Sequence, residues 1–272
     1  MKKLLSDSLW VWEGPYIDPL LGPSIYGLGE ASNYFHACNV IYLYGPNDDV
    51  ALTKLKPFKK VVCDISKWKF RKGKDLSDLC GSYHDTSPGV SRDEALNLSK
   101  ISLKYGNIDG GIIDDLSSTY ISQGKMGPEQ LAEVHRSLKA HNPRLKLYSV
   151  IYSSNLDLDL ASYAPYMDIL TLWVWENTRD LLEIENHVRR CRKKFPGKPI
   201  LVGLYLRDYP TSQAMPMDLL KFEFEKSAEL LDRGEIDGFV ILGGFLLDKH
   251  PEQAKWVREF LEERYLVKGH SS

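Results

Sequence analysis

An α/β chain folded as a single (β/α)8 barrel is what the sequence predicts, and three observations predict it. Eight apolar runs of strand length recur along the 272 residues, helical periodicity fills most of the gaps between them, and most runs end on polar or aromatic residues. A strand buried on both faces of a parallel sheet reads as a continuous apolar run, and its carboxyl end opens onto the face where ligands bind. The length and ordinary soluble composition fit one domain over residues 1–272.

The strand-like runs lie at 9–13, 39–44, 60–64, 110–115, 147–153, 169–175, 200–206 and 238–243. Helices are expected at 92–105, 128–141, 178–195, 217–233 and 251–265, with Pro128 and Pro251 at helix starts. The first two units are the weak ones. Segment 24–36 is short and Gly-rich and 48–55 allows barely two turns, so a distorted or even seven-stranded barrel is expected to show itself there. The connection of about 65–91, after the third strand, has no obvious structure, and loops of that length are usually functional or mobile. It carries Trp68, Phe70, Arg71, Tyr83 and His84 and starts at a strand's carboxyl end, where it is placed to wall a cleft; a solvated insertion is the equal alternative. Two short echoes run through the chain. One pairs Ile108-Asp109-Gly110 with Ile236-Asp237-Gly238, half a barrel apart, and the other pairs Trp10-Val11-Trp12-Glu13 with Trp173-Val174-Trp175-Glu176.

Composition excludes several classes. With 35 Lys and Arg against 37 Asp and Glu, interspersed, the net charge of −2 points to neither a nucleic-acid groove nor a membrane-binding face. No run approaches the ~18 apolar residues of a membrane span. Cys38, Cys63, Cys80 and Cys191 lack close spacing, and Cys38 and Cys63 lie in apolar runs, as buried small hydrophobes do. The start Met1-Lys2-Lys3-Leu4-Leu5 is broken by Ser6, Asp7 and Ser8 before any apolar signal core, so the compartment is the cytosol or, if a signal has been removed, the periplasm or exterior. The sequence leaves the oligomeric state open.

The chemistry concentrates at strand ends. The stretch from Ile108 climbs through Gly110, Gly111, Ile112 and Ile113 into Asp114 and Asp115, and two acids at the end of a buried strand are costly unless they have work or partners. Other strand ends supply Trp12, Glu13, Tyr44, Asp64, Tyr152, Trp173, Trp175, Glu176, Tyr205, Arg207 and Asp208. Flat rings stack on the apolar faces of sugars, and two carboxylates across a glycosidic bond supply the proton donor and the base or nucleophile of hydrolysis. The alternative role for strand-end aromatics is to plug the barrel mouth. Side chains alternate along a strand, so only one of Asp114 and Asp115 is expected to face the barrel directly; Asp115, the more terminal, is favoured. Glu176 lies two strands further round, about 10 Å at the backbone, and Asp208 on the seventh strand competes as partner. Arg207 can bind a carboxylate or sulfate in two-pronged fashion, as an acidic sugar would require.

On these residues the chain resembles the broad group of (β/α)8 glycoside hydrolases, in which a fourth-strand segment of the Asp-Gly-x-x-x-Asp-Asp kind carries a catalytic acid; here it is Asp109-Gly110 through Asp114-Asp115. No Asn-Glu pair closes the fourth strand and no Asp-x-x-Asp-x-Asp-x-Glu run is present, so the resemblance names no single family. It implies a carbohydrate substrate, no cofactor and no metal. Asp115, Asp114, Glu176 and Asp208 are the catalytic candidates; Trp12, Glu13, Tyr44, Asp64, Tyr152, Trp173, Trp175, Tyr205 and Arg207 are the substrate-binding ones.

Two alternatives stand beside it. Asp64, Asp114, Asp115 and Glu176 could bind Mg2+ or Ca2+ through oxygen alone, whereas His135, His141, His187 and His250 lie in helical segments away from the strand ends. A barrel that binds glycan without cleaving it uses the same aromatic and acidic residues. A Schiff-base lysine at a strand end and a Gly-x-Ser-x-Gly elbow are both absent from the sequence.

Overall fold

In the computed structural model, residues 5–14, 17–18, 22–70, 82–87, 89–174 and 177–266 are described. Eight strands close into one parallel barrel: β1 (Leu9–Trp12), β2 (Asn39–Tyr42), β3 (Lys60–Asp64), β4 (Ile108–Ile113), β5 (Lys146–Tyr152), β6 (Ile169–Trp173), β7 (Ile200–Tyr205) and β8 (Gly238–Leu242). Closure is made by β1, which pairs with β8 from Leu9↔Phe239 to Trp12↔Leu242 and with β2 from Trp10↔Asn39 to Trp12↔Ile41. All eight predicted strands are present, because both faces of each are covered and only continuous apolar runs survive that burial.

The helices are α1 (Leu28–Tyr34), α2 (Asp49–Lys54), α3 (Val90–Ile101), α4 (Pro128–Lys139), α5 (Ile184–Lys194), α6 (Met217–Asp232) and α7 (Pro251–Leu261). The first two units, expected to be irregular, hold short but complete helices. Asp48 caps α2 by accepting from Ala51 N at 2.9 Å, and Glu30 Oε2 accepts from the Gly27 amide that opens α1 at 3.1 Å. Irregularity falls instead on the fifth unit, where only the 3-10 turns Ser153–Asn155 and Ala164–Tyr166 link β5 to β6. Leu156, Leu158 and Leu160 alternate there with Asp157 and Asp159, a period that cannot present one helical face, and Pro165 follows.

The long connection after β3 is partly ordered: Trp68–Phe70 pairs antiparallel with Ser82–His84. Cys63 and Cys191 are buried, but Cys38, expected inside, is exposed at the entrance to β2. No helix among the described residues is long and apolar enough to cross a membrane.

Candidate active site

The mouth is built at the carboxyl ends of β3, β4 and β5. In β4, a Cβ placed on Gly111 would touch Leu138 of α4 and Ile65, so Gly111 and Ile113 face the helices while Gly110, Ile112 and Asp114 face the barrel. Strict alternation would then send Asp115 outward. It does not go there, because Asp115 adopts φ 52°, ψ 27°, a left-handed conformation uncommon for a non-glycine residue. That turn ends the strand, starts the helical turn Leu116–Ile121, and swings the second carboxylate back to the mouth. Both carboxylates therefore lie near His84, Asp115 bonded to it and Asp114 close enough for its field to act on the ring.

Asp115 is held at both oxygens. Tyr152 OH donates to Oδ1 at 2.5 Å, and His84 Nε2, brought in on the hairpin after β3, lies 3.1 Å from Oδ2. Burial disfavours the charge on Asp115, but the bonds from His84 and Tyr152 outweigh it and hold the carboxyl below the usual range. For His84 burial again opposes the charged form. The bond to Asp115 and the fields of Asp114, Asp115 and Asp64 outweigh it, and the imidazole sits above its ordinary value. Asp114 accepts the Asp115 amide on Oδ1 at 2.9 Å and faces Tyr44, whose hydroxyl is pushed well up by burial and by the charge of Asp114.

Asp64 and Glu13 are spent on backbone. Asp64 accepts from Ser66 N at 2.8 Å, Ser66 Oγ at 2.5 Å and Lys67 N at 3.0 Å, fixing the exit from β3. Glu13 Oε2 accepts from Leu43 N at 2.7 Å and Tyr44 N at 3.0 Å and so sets Tyr44 in place. Among the described residues no group of three His, Cys, Asp or Glu side chains is arranged to hold a metal ion.

On the other side of the mouth the rings pack on one another. Trp12 meets Trp173 edge-on at 5.1 Å between centroids, Trp173 meets Tyr205 at 5.6 Å, and Tyr205 meets Tyr209 at 5.8 Å. Trp12, Trp173 and Tyr205 are 5%, 3% and 2% exposed, so their faces are covered by protein and they close the barrel beneath the opening. Gly203 makes room for this plug, since a Cβ there would stand 1.8 Å from the Trp173 ring. Tyr44 and Tyr152 keep some exposed area. Arg207 lies 5.6 Å from the Tyr209 ring centroid, and Asp208 accepts from Thr211 Oγ1 at 2.7 Å in the short hairpin of Arg207–Asp208 with Gln213–Ala214. Trp175 and Glu176 lie outside the described residues.

Sequence reading singled out His84 and Asp115 but not their pairing. Ser66, Tyr120 and Tyr209 it did not single out at all, because serines and tyrosines off the strand ends carry no pattern that marks them.

No protein-family model and no curated protein matches the sequence. Solved structures do match in fold. A xylanase and α-amylase inhibitor protein from Scadoxus multiflorus aligns at TM-score 0.56 and 15% identity over 97% of this chain and 100% of its own. The GH53 catalytic domain of Ignisphaera aggregans aligns at 0.52 and 14% over 88% of this chain and 84% of its own. A β-D-glucuronidase from Dictyoglomus thermophilum aligns at 0.50 and 11% over 78% of this chain, which spans only 38% of that enzyme. At such identities the likeness is one of fold: this chain is a (β/α)8 barrel.

Proposed function

We propose that the protein is a glycoside hydrolase acting on an oligo- or polysaccharide at the carboxyl-end mouth of the barrel. The observation that carries this reading is the left-handed turn at Asp115, which costs backbone energy of about 1–3 kcal/mol and brings two adjacent carboxylates to one opening. Conformations of that kind cluster at functional sites. Asp115, bonded to His84 and Tyr152, is the charged member, and Asp114 beside it takes the role of acid toward the leaving oxygen. The base or nucleophile across the sugar is Glu176, with Asp208 as its competitor. Tyr44 and Tyr152 offer the ring surfaces for the sugar, joined by Trp175, and Arg207 favours an acidic sugar. The enzymatic fold neighbours, a GH53 catalytic domain and a β-D-glucuronidase, support this reading.

A second reading is favoured by one observation. A neighbour that aligns over 97% of this chain and 100% of its own is a xylanase and α-amylase inhibitor protein, so a barrel of this size that binds without turnover is the alternative. A panel of para-nitrophenyl glycosides and natural oligosaccharides, uronic-acid sugars included, separates the two. Release of product, lost in Asp114→Asn and Asp115→Asn with glycan binding retained, supports the hydrolase; binding without any release supports the alternative.

A further inference from the structure

The connection after β3 is fastened at its base from three directions. Ser66 donates to Asp64 through both its amide and its hydroxyl, its Oγ also accepts from Asp114 N at 3.3 Å, and its carbonyl accepts from Tyr120 OH at 3.1 Å. Asp85 N donates to Lys67 O at 3.0 Å, just past the point where His84 pairs in register with Trp68. His84 itself is buried, with its ring 5.8 Å from that of Tyr120. A solvated insertion needs none of this.

Resting on the hydrolase reading above, we propose that the insertion exists to deliver His84 as a positioning residue: Nε2 clamps Asp115 Oδ2 while Tyr152 OH clamps Oδ1, which fixes the plane of the Asp115 carboxylate beside Asp114. Removing one clamp frees a side chain whose backbone is already strained, and near-attack geometry is lost by shifts of about 1 Å. The groups that act on His84 are Asp115 and Asp114, just after β4, and Asp64 at the end of β3, with the Tyr120 ring beside it; Tyr152 shares Asp115 with it and Lys67 acts on Asp64.

Two measurements on the full chain test this. The first needs no substrate: the His84 imidazole is titrated by proton NMR in the native protein and in Asp115→Asn. A fall of about one pKa unit or more is expected when the partner charge goes, and an unchanged His84 titration overturns the clamp. The second follows turnover of the para-nitrophenyl glycoside panel in His84→Ala and His84→Gln. Losing the clamp raises the Asp115 pKa, so the acid limb of kcat/KM moves to higher pH, with kcat down about ten- to hundred-fold and KM little changed. His84→Gln keeps a donor without the charge; it regains part of kcat but not the position of the limb. A structural role would lower the active fraction and leave the limb where it was, and that result, in either folded variant, overturns the proposal. If the native protein turns over no glycoside, the hydrolase reading fails, while the NMR titration still decides the clamp.

Discussion

Asp168, just before β6, and Asp115, just after β4, are each hydrogen-bonded to a histidine, and their side chains are equally exposed, at 24%. The surroundings differ. Asp168 meets His135 at 3.2 Å, Lys139 at 3.1 Å and the Leu147 amide at 2.9 Å, and these hydrogen bonds outweigh its burial, so its pKa falls to about 2. Asp115 meets His84, Tyr152 and the Thr119 side chain, with Asp114 adjacent and Asp64 close to the same histidine. The amino end of the barrel spends its carboxylate on joining β5, β6 and α4. The carboxyl end sets two adjacent acids beside Asp64 and one histidine, the kind of charge cluster that recurs at functional sites.

The largest expected effect tests that division directly. Asp115→Asn, Asp114→Asn and Glu176→Gln should each lower turnover by about a hundred- to ten-thousand-fold, the range general acid–base catalysis contributes, while Asp168→Asn leaves kcat nearly unchanged. Steady-state kinetics on the same glycoside panel measures all four. Full activity in both Asp114→Asn and Asp115→Asn would remove the functional meaning from the comparison.

The mouth has its own internal contrast, between the acid side and the aromatic plug. Trp173 is packed between Trp12 and Tyr205 and donates Nε1–H to Thr171 Oγ1 at 3.0 Å. Its truncation to Ala should cost about 3–5 kcal/mol in urea unfolding, with glycan affinity following only as far as folded protein is lost. A stable Trp173→Ala protein with greatly weakened glycan binding would instead make that ring a sugar platform.

This contrast also shows how much was legible beforehand. The eight strands were, since burial on both faces leaves continuous apolar runs that no loop needs. So was the placing of two acids, Asp114 and Asp115, at the end of one such run. What hid was whatever depends on three dimensions. Trp12 and Trp173 read alike whether their rings close the barrel or line its opening, because both positions want a large ring at a strand end. The φ of Asp115 overturned the alternation argument, and nothing in Ile-Ile-Asp-Asp-Leu marks a left-handed residue beyond the tolerance of Asp for that conformation. His84 lies 31 residues from Asp115 and is brought to it by a short antiparallel pairing that sequence periodicity does not show.

The smallest expected effect separates the two Asp–His pairs by pH. Asp168 has a folded pKa of about 2, below its ordinary 3.8, so its contribution is present above that ordinary value and is lost as pH falls through about 2. Asp168→Asn should therefore cost about 2 kcal/mol near pH 7, discounted for partial exposure, and the unfolding curves of variant and native protein should converge near pH 2. His84 runs the other way. Its pKa is raised in the fold, so its contribution is full below the ordinary histidine value of about 6.5 and fades as pH rises through the folded value. Denaturation of His84→Ala against the native protein should then show a difference at pH 5–6 that shrinks on the alkaline side, where the Asp168→Asn difference stays flat. The two profiles separate because one pair is limited by losing a carboxylate and the other by losing an imidazolium. Parallel profiles would mean that the two pairs do the same structural job, and the asymmetry between the barrel's ends would then rest on Asp114 alone.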